Sequence, residues 1–188
     1  TDPDATGDQW WANDEAAVTD RACHFDDEYV FHADGTFENV MDGETWLETW
    51  QGDGVEEGCG APIAPHDGSN AATWEFDAAT GSVTLTGLGA YIGLPKVVNA
   101  GELPGVDVPE TRSYNITIEE DIARVVIEYG EGGGNFWYFK MIQSEPAVVS
   151  HDPFGDTFHS FRDFWPEETE GVWDWSAYDS LTFSYNIV

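Results

Sequence analysis

The sequence predicts an all-β protein, an antiparallel up-and-down β-barrel with an aromatic-rich C-terminal extension. Three successive pairs of alternating apolar and polar runs, each pair joined by a turn, are typical of antiparallel hairpins. Helical periodicity is almost absent from the same stretch. Because the hairpins follow one another at short range, a barrel is the natural closure, and a β-sandwich or jelly roll is the alternative.

The first hairpin carries the strongest local signal. Tyr29 and Phe31 alternate with polar or smaller residues, and Asp34-Gly35 then interrupts the run before a second alternating run begins at Phe37. An Asp-Gly pair favours a tight turn because glycine tolerates the positive φ that such a turn requires. Residues 13–22 precede the hairpin and predict a short helix capped by Asn13.

Later runs repeat the hairpin pattern. Residues 72–88 predict a second hairpin and residues 114–127 a third, separated from it by a Gly- and Pro-rich loop. Residues 87–96 follow the second hairpin directly, and their glycines indicate a bent or bulged strand. A further strand at 136–142 is apolar on both faces, so we expect it to be central or covered on both sides.

The C-terminal part departs from this pattern. Prolines and acids interleave with many aromatic residues between 143 and 180, and so many aromatics predict a strap lying against the barrel. Alternation returns at 181–188, which predicts a closing strand. The expected organisation is one domain, with a leader at 1–9, a barrel core at 10–142, the strap and the closing strand.

Composition limits the function classes. The chain has 188 residues and a formal net charge of −31, with 37 acidic and six basic residues. Such a charge repels nucleic acid and anionic membrane surfaces, and no apolar run reaches a transmembrane length. Solubility in a salty medium explains the charge, which indicates a halotolerant protein; Ca²⁺ binding by some of the acids is the sharper interpretation.

The two cysteines, Cys23 and Cys59, indicate the cellular compartment. A single pair in an acidic, Lys-poor chain favours one disulfide in an exported protein, secreted or at the cell surface. Two free buried thiols are the alternative, because cysteine is also a common core residue.

Several motifs resemble a known family. Arg21-Ala22-Cys23, the acidic pair Asp26-Asp27 in an aromatic run, the Asp34-Gly35 turn and the downstream Trp46 resemble lipocalin-like (calycin) domains of bacterial secreted proteins. The stretches GLGAYIGLPKV and NFWYFKMI resemble the subset found beside glycan-degrading modules in marine bacteria. The resemblance covers residues 10–142 and implies an up-and-down barrel with a role in polysaccharide capture. The opening strand usual in such domains is missing here, and the chain continues 46 residues past the usual end.

The sequence contains little that supports a catalytic function. The five histidines form no zinc-binding helical pair, no Gly-x-Ser-x-Gly elbow occurs, and a suitable carboxylate pair is uninformative among 37 acids. Tryptophans near acids and amides fit sugar recognition better, because aromatic rings stack on sugar faces while polar groups bond the hydroxyls. The candidate platforms are Trp10, Trp11, Trp46, Trp50, Trp173 and Trp175, whereas Trp74 and Trp137 are expected in the core.

No cofactor is required by any motif, and Ca²⁺ is the candidate metal. Its candidate ligands are Asp26, Asp27, Asp152 and Asp156, none of which has the spacing of an EF-hand loop. The sequence thus favours a non-catalytic, extracellular carbohydrate-binding domain that captures a neutral glucan as one module of a larger protein or as a homo-oligomer. The alternatives are a lipocalin-type binder of a small apolar ligand and a structural or assembly domain of an extracellular complex.

Overall fold

The computed structural model describes residues 12–119, 122–129, 135–143 and 180–185. The described elements are, in chain order, α1 (Glu15–Asp20), α2 (Ala22–Phe25), β1 (Glu28–His32), β2 (Thr36–Val40), β3 (Thr45–Leu47), a 3₁₀ turn (Thr49–Gln51), β4 (Gly58–Gly60), β5 (Ala72–Asp77), β6 (Ser82–Thr86), α3 (Pro95–Val98), β7 (Thr111–Glu119), β8 (Ile122–Tyr129), β9 (Asn135–Gln143) and β10 (Ser180–Tyr185). None of these helices is long and apolar enough to cross a membrane.

Eight of the strands close an antiparallel barrel in the order β1-β2-β5-β6-β7-β8-β9-β10 and back to β1, while β3 and β4 pair separately. Each barrel strand therefore lies beside its neighbours along the chain, which confirms the predicted up-and-down barrel. The three predicted hairpins are β1–β2, β5–β6 and β7–β8, and Gly35 in the first turn has φ +88°.

The barrel closes through its last strand. β10 pairs with β1 over five residue pairs, from Glu28 opposite Ser184 to His32 opposite Ser180. On its other side β10 pairs with β9, where Phe183 lies opposite Gln143. The closing strand thus falls at Ser180–Tyr185, near the stretch that alternates in the sequence, although most of the C-terminal extension lies outside the described residues.

The barrel core takes its side chains from the strands and from one long connection. Inward residues of β1, β2 and β5–β9 pack with Tyr91, Ile92, Leu94, Val97 and Val98, which all lie between β6 and β7. The expected bent strand at 87–96 is therefore wrong: this stretch is a loop leading into α3. Its backbone pairs with no barrel strand, and its apolar side chains are in the core.

Two tyrosine hydroxyls hold this connection in place. The Tyr29 hydroxyl on β1 accepts from the Gly93 N–H at 3.0 Å and lies 3.3 Å from the Gly93 carbonyl oxygen. The Tyr114 hydroxyl on β7 accepts from the Ile92 N–H at 3.1 Å. These bonds satisfy backbone groups that the loop would otherwise bury unpaired, and unpaired buried groups cost free energy.

The barrel has a short seam between β2 and β5, where only two residue pairs are in register. Past the seam the Asn39 side chain takes the place of a strand, since its Nδ2 donates to the Tyr91 carbonyl at 2.8 Å and its Oδ1 accepts from the Tyr91 N–H at 3.3 Å. Trp74 closes the other side by donating its indole N–H to the His32 carbonyl. Where β2 and β5 diverge, the Asn39 and Trp74 side chains thus provide hydrogen bonds to backbone groups of Tyr91 and His32.

The N-terminal helices and the disulfide form one corner of the molecule. The cap of α1 is Asp14, which accepts from the Ala17 N–H at 3.0 Å, so the predicted Asn13 cap is wrong by one residue. Cys23 on α2 and Cys59 on β4 form the disulfide, which excludes the alternative of free thiols. Residues 52–70, whose many Gly, Pro and acidic residues are typical of a loop, contain the short strand β4, which pairs with β3.

Candidate functional site

Two of the six predicted tryptophan platforms, Trp46 and Trp50, lie in the described part of the chain. Both are half-buried, Trp46 on β3 and Trp50 in the 3₁₀ turn that follows. The other four, Trp10, Trp11, Trp173 and Trp175, lie outside the described residues, as do Asp152 and Asp156. The two predicted core tryptophans, Trp74 and Trp137, are partly buried and pack against the core.

Trp50 is held by its own turn. Glu48 caps the 3₁₀ turn: its side chain accepts from the Gln51 backbone N–H, and the Gln51 side-chain oxygen accepts from the Glu48 N–H at 2.7 Å. The same carboxylate accepts the Trp50 indole N–H at 2.9 Å. The ring is thus fixed on a rigid turn, which lowers the entropy that a ligand must spend to order it.

Lys96 joins this turn from a distant part of the chain. Its Nζ lies against Glu48 Oε1, while Glu48 Oε2 accepts the indole N–H of Trp50. Lys96 lies on α3. The other three residues of that helix, Pro95, Val97 and Val98, are buried, so Lys96 is the residue that faces outward. The result is an aromatic ring bordered by a carboxylate acceptor, an ammonium donor and the Gln51 amide.

A buried polar pair lies behind the Trp50 ring. His66 meets Trp50 edge-on with ring centroids 6.2 Å apart, and its Nε2 lies 3.2 Å from Asn99 Oδ1. Burial lowers the pKa of His66, which favours the neutral imidazole. The Asn99 Nδ2 is buried and has no hydrogen-bond partner in the part of the chain that the structure describes, so among these residues the side chain keeps an unused donor near the site.

Trp46 is built into a different environment. The Arg21 guanidinium lies over one face of its ring, 4.4 Å from the centroid, and also contacts Glu57 at 3.7 Å. A cation on a ring face occupies the surface on which a sugar would stack. Trp46 therefore has a cation over one face of its ring, whereas Trp50 has no cation over its ring among the described residues and makes a T-shaped contact with His66.

The acidic pair of the first hairpin splits between solvent and interior. Asp26 is exposed, whereas Asp27 is 1% exposed and accepts from the Thr45 hydroxyl at 2.7 Å. His24 Nδ1 lies 3.5 Å from the same Asp27 oxygen, and burial raises the pKa of Asp27. Across the described residues no group of three or more His, Cys, Asp or Glu side chains could hold a metal ion.

A shallow cleft opens at the seam between β2 and β5. Its cavity volume of about 10 Å³ has room for about one water molecule, and its walls include Phe37, Asn39 and Leu88. Leu88 is 43% exposed at this cleft. A sugar ring does not fit in such a volume, so the cleft adds nothing to the site around Trp50.

Sequence reasoning singled out Trp50 and missed its partners. Glu48 and Gln51 carried a signal in the sequence, because an acidic residue followed three positions later by an amide is typical of the reciprocal capping of a short turn. Lys96 could have been flagged as one of only two lysines in an acidic chain. His66 and Asn99 carried no local signal, because only the fold brings them beneath the ring.

Comparison of the chain with protein-family models, with curated proteins and with solved structures returns no match.

Proposed function

We propose that this chain is a non-catalytic, extracellular carbohydrate-binding domain whose binding surface is centred on Trp50. The observation that carries the proposal is the rigid Trp50 ring, held at a half-buried position by Glu48 with Lys96 beside it. Sugars present weakly polar faces and rims of hydroxyls, so a ring bordered by fixed acceptors and donors suits them.

The charge of the chain favours a neutral glucan over an anionic polysaccharide, because a net charge of −31 repels polyanions. An extracellular location is supported by the disulfide, which is typical of oxidising compartments. The resemblance to lipocalin-like domains beside glycan-degrading modules points to the same polysaccharide-capturing role.

The filled interior favours surface binding over an enclosed apolar ligand. In a lipocalin-type binder the barrel holds the ligand, whereas here Tyr91, Ile92 and Leu94 from the β6–β7 connection pack against the inward strand residues. The groups proposed to bind the sugar, Trp50 with Glu48, Gln51 and Lys96, are instead half-buried side chains of the 3₁₀ turn and α3.

The test is isothermal titration calorimetry against a panel of soluble neutral glucans, with and without Ca²⁺. We expect saturable binding of one glucan, weakened about three- to tenfold in Trp50→Ala, the range that aromatic contacts contribute. Trp46→Ala is the matched control and should change the affinity less than twofold, because Arg21 covers its ring.

Circular dichroism must show that both variants keep the barrel. Absence of binding across the panel would refute carbohydrate recognition and direct attention to an assembly role. Binding that appears only with Ca²⁺ would support a metal-bridged site at residues other than Trp50.

A further inference from the structure

The outward surface of β8 and β9 is apolar for a barrel exterior. On β8 the residues Ala123, Val125 and Ile127 are buried in the core, so the alternating residues face outward, as do their directly opposite partners on β9. We call this surface the outer β8–β9 face; it consists of Ile122, Arg124, Val126, Glu128, Phe136, Tyr138, Lys140 and Ile142, of which five are apolar, two are basic and one is acidic.

The apolar side chains of this face are shielded from solvent. All five are half-buried, and the Tyr138 hydroxyl oxygen is buried. On the neighbouring strand β7 the outward residues Thr111, Ser113, Asn115 and Thr117 are all exposed. The apolar outward side chains of β8 and β9 are therefore less open to water than the polar outward side chains of β7.

Two cations lie side by side in the middle of the face. Arg124 and Lys140 are directly opposite each other across the β8–β9 ladder. Like charges in this arrangement repel and destabilise a sheet. Neither forms an ion pair with a carboxylate of the described residues, although the chain has 37 acids and only six basic residues.

We propose that the outer β8–β9 face is the docking surface for the chain's own segment 144–179. This segment begins where β9 ends and finishes where β10 begins, so both of its ends are fixed at the edge of the face. It contains nine acids, eight aromatic residues and a single arginine. Its aromatics match the apolar side chains of the face, and its acids match Arg124 and Lys140, which pair with no carboxylate whose side chain the structure describes.

The length of the segment agrees with this docking. Gln143 lies opposite Phe183, so β9 and β10 are adjacent and a short turn would suffice to join them. The 36 residues of the segment could span roughly 120 Å when extended. A connection so much longer than its gap has enough chain to cross the neighbouring strand β8 and return.

Zero-length carbodiimide cross-linking of the full-length protein tests the proposal. The chain has only two lysines, Lys96 and Lys140, and Lys96 contacts Glu48, which provides an internal positive control. We expect Lys140 to be joined to an acid within 144–179 of the same chain, identified by mass spectrometry. A mixture of ¹⁴N- and ¹⁵N-labelled protein distinguishes links within one chain from links between copies.

The Lys96–Glu48 link together with no link from Lys140 to 144–179 would overturn the proposal. So would a link from Lys140 that joins two copies, which would make the face a dimer surface, or a link only to acids outside the segment.

A pair of charge-matched variants provides a second test. Arg124→Gln/Lys140→Gln lowers the net charge by two, and Thr73→Glu/Thr86→Glu does the same at another exposed, directly opposite pair on β5 and β6. We expect hydrogen exchange in 144–179 to be roughly two- to fivefold faster in the glutamine variant, the range for surface ion pairs. The glutamate variant should leave it unchanged.

Exchange that is unchanged in the glutamine variant, or equally faster in both variants, would refute a role for the cations. The glutamine variant also removes a repulsive pair of charges from the sheet. If the cations acted only within the sheet, this variant would stabilise the barrel and would not speed up exchange in 144–179.

Discussion

At the scale of single residues, Asp27 is a buried carboxyl group whose pKa the fold raises. It is 1% exposed, and its Oδ1 is buried with no hydrogen-bond partner among the described residues, while Oδ2 accepts from Thr45. Burial raises its pKa, an effect that His24 and Thr45 oppose and Asp26 reinforces. A buried carboxyl of this kind links the stability of the α2–β3 corner to pH.

The sign of the pH dependence follows from the raised pKa. The native state holds the Asp27 proton more tightly than the unfolded state, whose pKa is near 3.8. Stability from this group is therefore present below about pH 4 and is lost as the pH rises through the folded-state pKa. We expect Asp27→Asn, which cannot ionise, to gain stability relative to the wild type as the pH rises through this window.

Urea unfolding measured between pH 3.5 and 7 checks this difference. Asp77→Asn is the control with the opposite sign, because hydrogen bonds from Thr80 and the Ala79 N–H lower the pKa of Asp77. That variant should lose stability relative to the wild type as the pH rises. The same slope in both variants would contradict the assignment for Asp27.

Gly89 lets the loop around residue 89 pack directly against the loop around Pro65. Its φ is +82°, and a Cβ there would overlap the Pro65 carbonyl. Gly43 has a similar φ of +93° but no atom within 4 Å of its would-be Cβ, which makes it a matched control.

Both alanine variants incur the backbone strain, and only one incurs the overlap. We expect Gly43→Ala to destabilise by about 1–2 kcal/mol and Gly89→Ala by at least about 2 kcal/mol more. Urea denaturation gives the two free energies of unfolding. Equal losses would mean that the loops at 65 and 89 can separate without cost.

At the scale of elements, the disulfide joins two of the shortest elements of the fold. Cys23 lies on α2, a helix of four residues, and Cys59 on β4, a strand of three residues paired only with β3. Elements this short are marginal by themselves, so the covalent link holds the N-terminal corner against the barrel.

Removal of the disulfide should be costly. Its sequence separation of 36 residues corresponds to about 4 kcal/mol in the chain-entropy description. We expect Cys23→Ala/Cys59→Ala to lose about that much free energy of unfolding in urea. Wild type with reductant should show a similar loss, and a loss under about 1 kcal/mol in both would show that α2 and β4 are held by packing alone.

At the scale of the whole molecule, barrel closure depends on a strand far along the chain from its partner. β1 and β10 are separated by most of the sequence, and the other neighbours in the barrel are also neighbours along the chain. Without β10, β1 and β9 become open edges, and open edges favour association with other chains.

Truncation after residue 143 should therefore lower the melting temperature and cause association, seen by circular dichroism and sedimentation velocity. The matched variant keeps β10 and replaces 144–179 by a short Gly/Ser linker of about ten residues, long enough for the adjacent strands. It should keep the barrel's cooperative melting transition if closure depends on β10 itself, whatever association follows from uncovering the outer β8–β9 face. A truncated chain that stays monomeric with unchanged stability would show that β10 is dispensable.

The sequence by itself determined the three hairpins and their succession around the barrel, and it favoured the disulfide, but it did not reveal the β3–β4 pair. The Asp34-Gly35 turn, the alternation in 72–88 and 114–127, and the single cysteine pair are local signals, and local alternation follows directly from one face of a strand meeting the core. An up-and-down barrel pairs each strand with its chain neighbour, so local signals were sufficient for its topology.

Only the tertiary structure decided what occupies the barrel and what surrounds Trp50. The stretch around Tyr91 looked like a bent strand, because its glycines and apolar residues have the same local pattern whether they pair with a strand or fill a core. Lys96 meets Glu48 across 48 residues, and Asp27 was predicted as a metal ligand before its burial was known. Contacts between distant segments depend on how the chain closes in space, and this information is absent from any local run of residues.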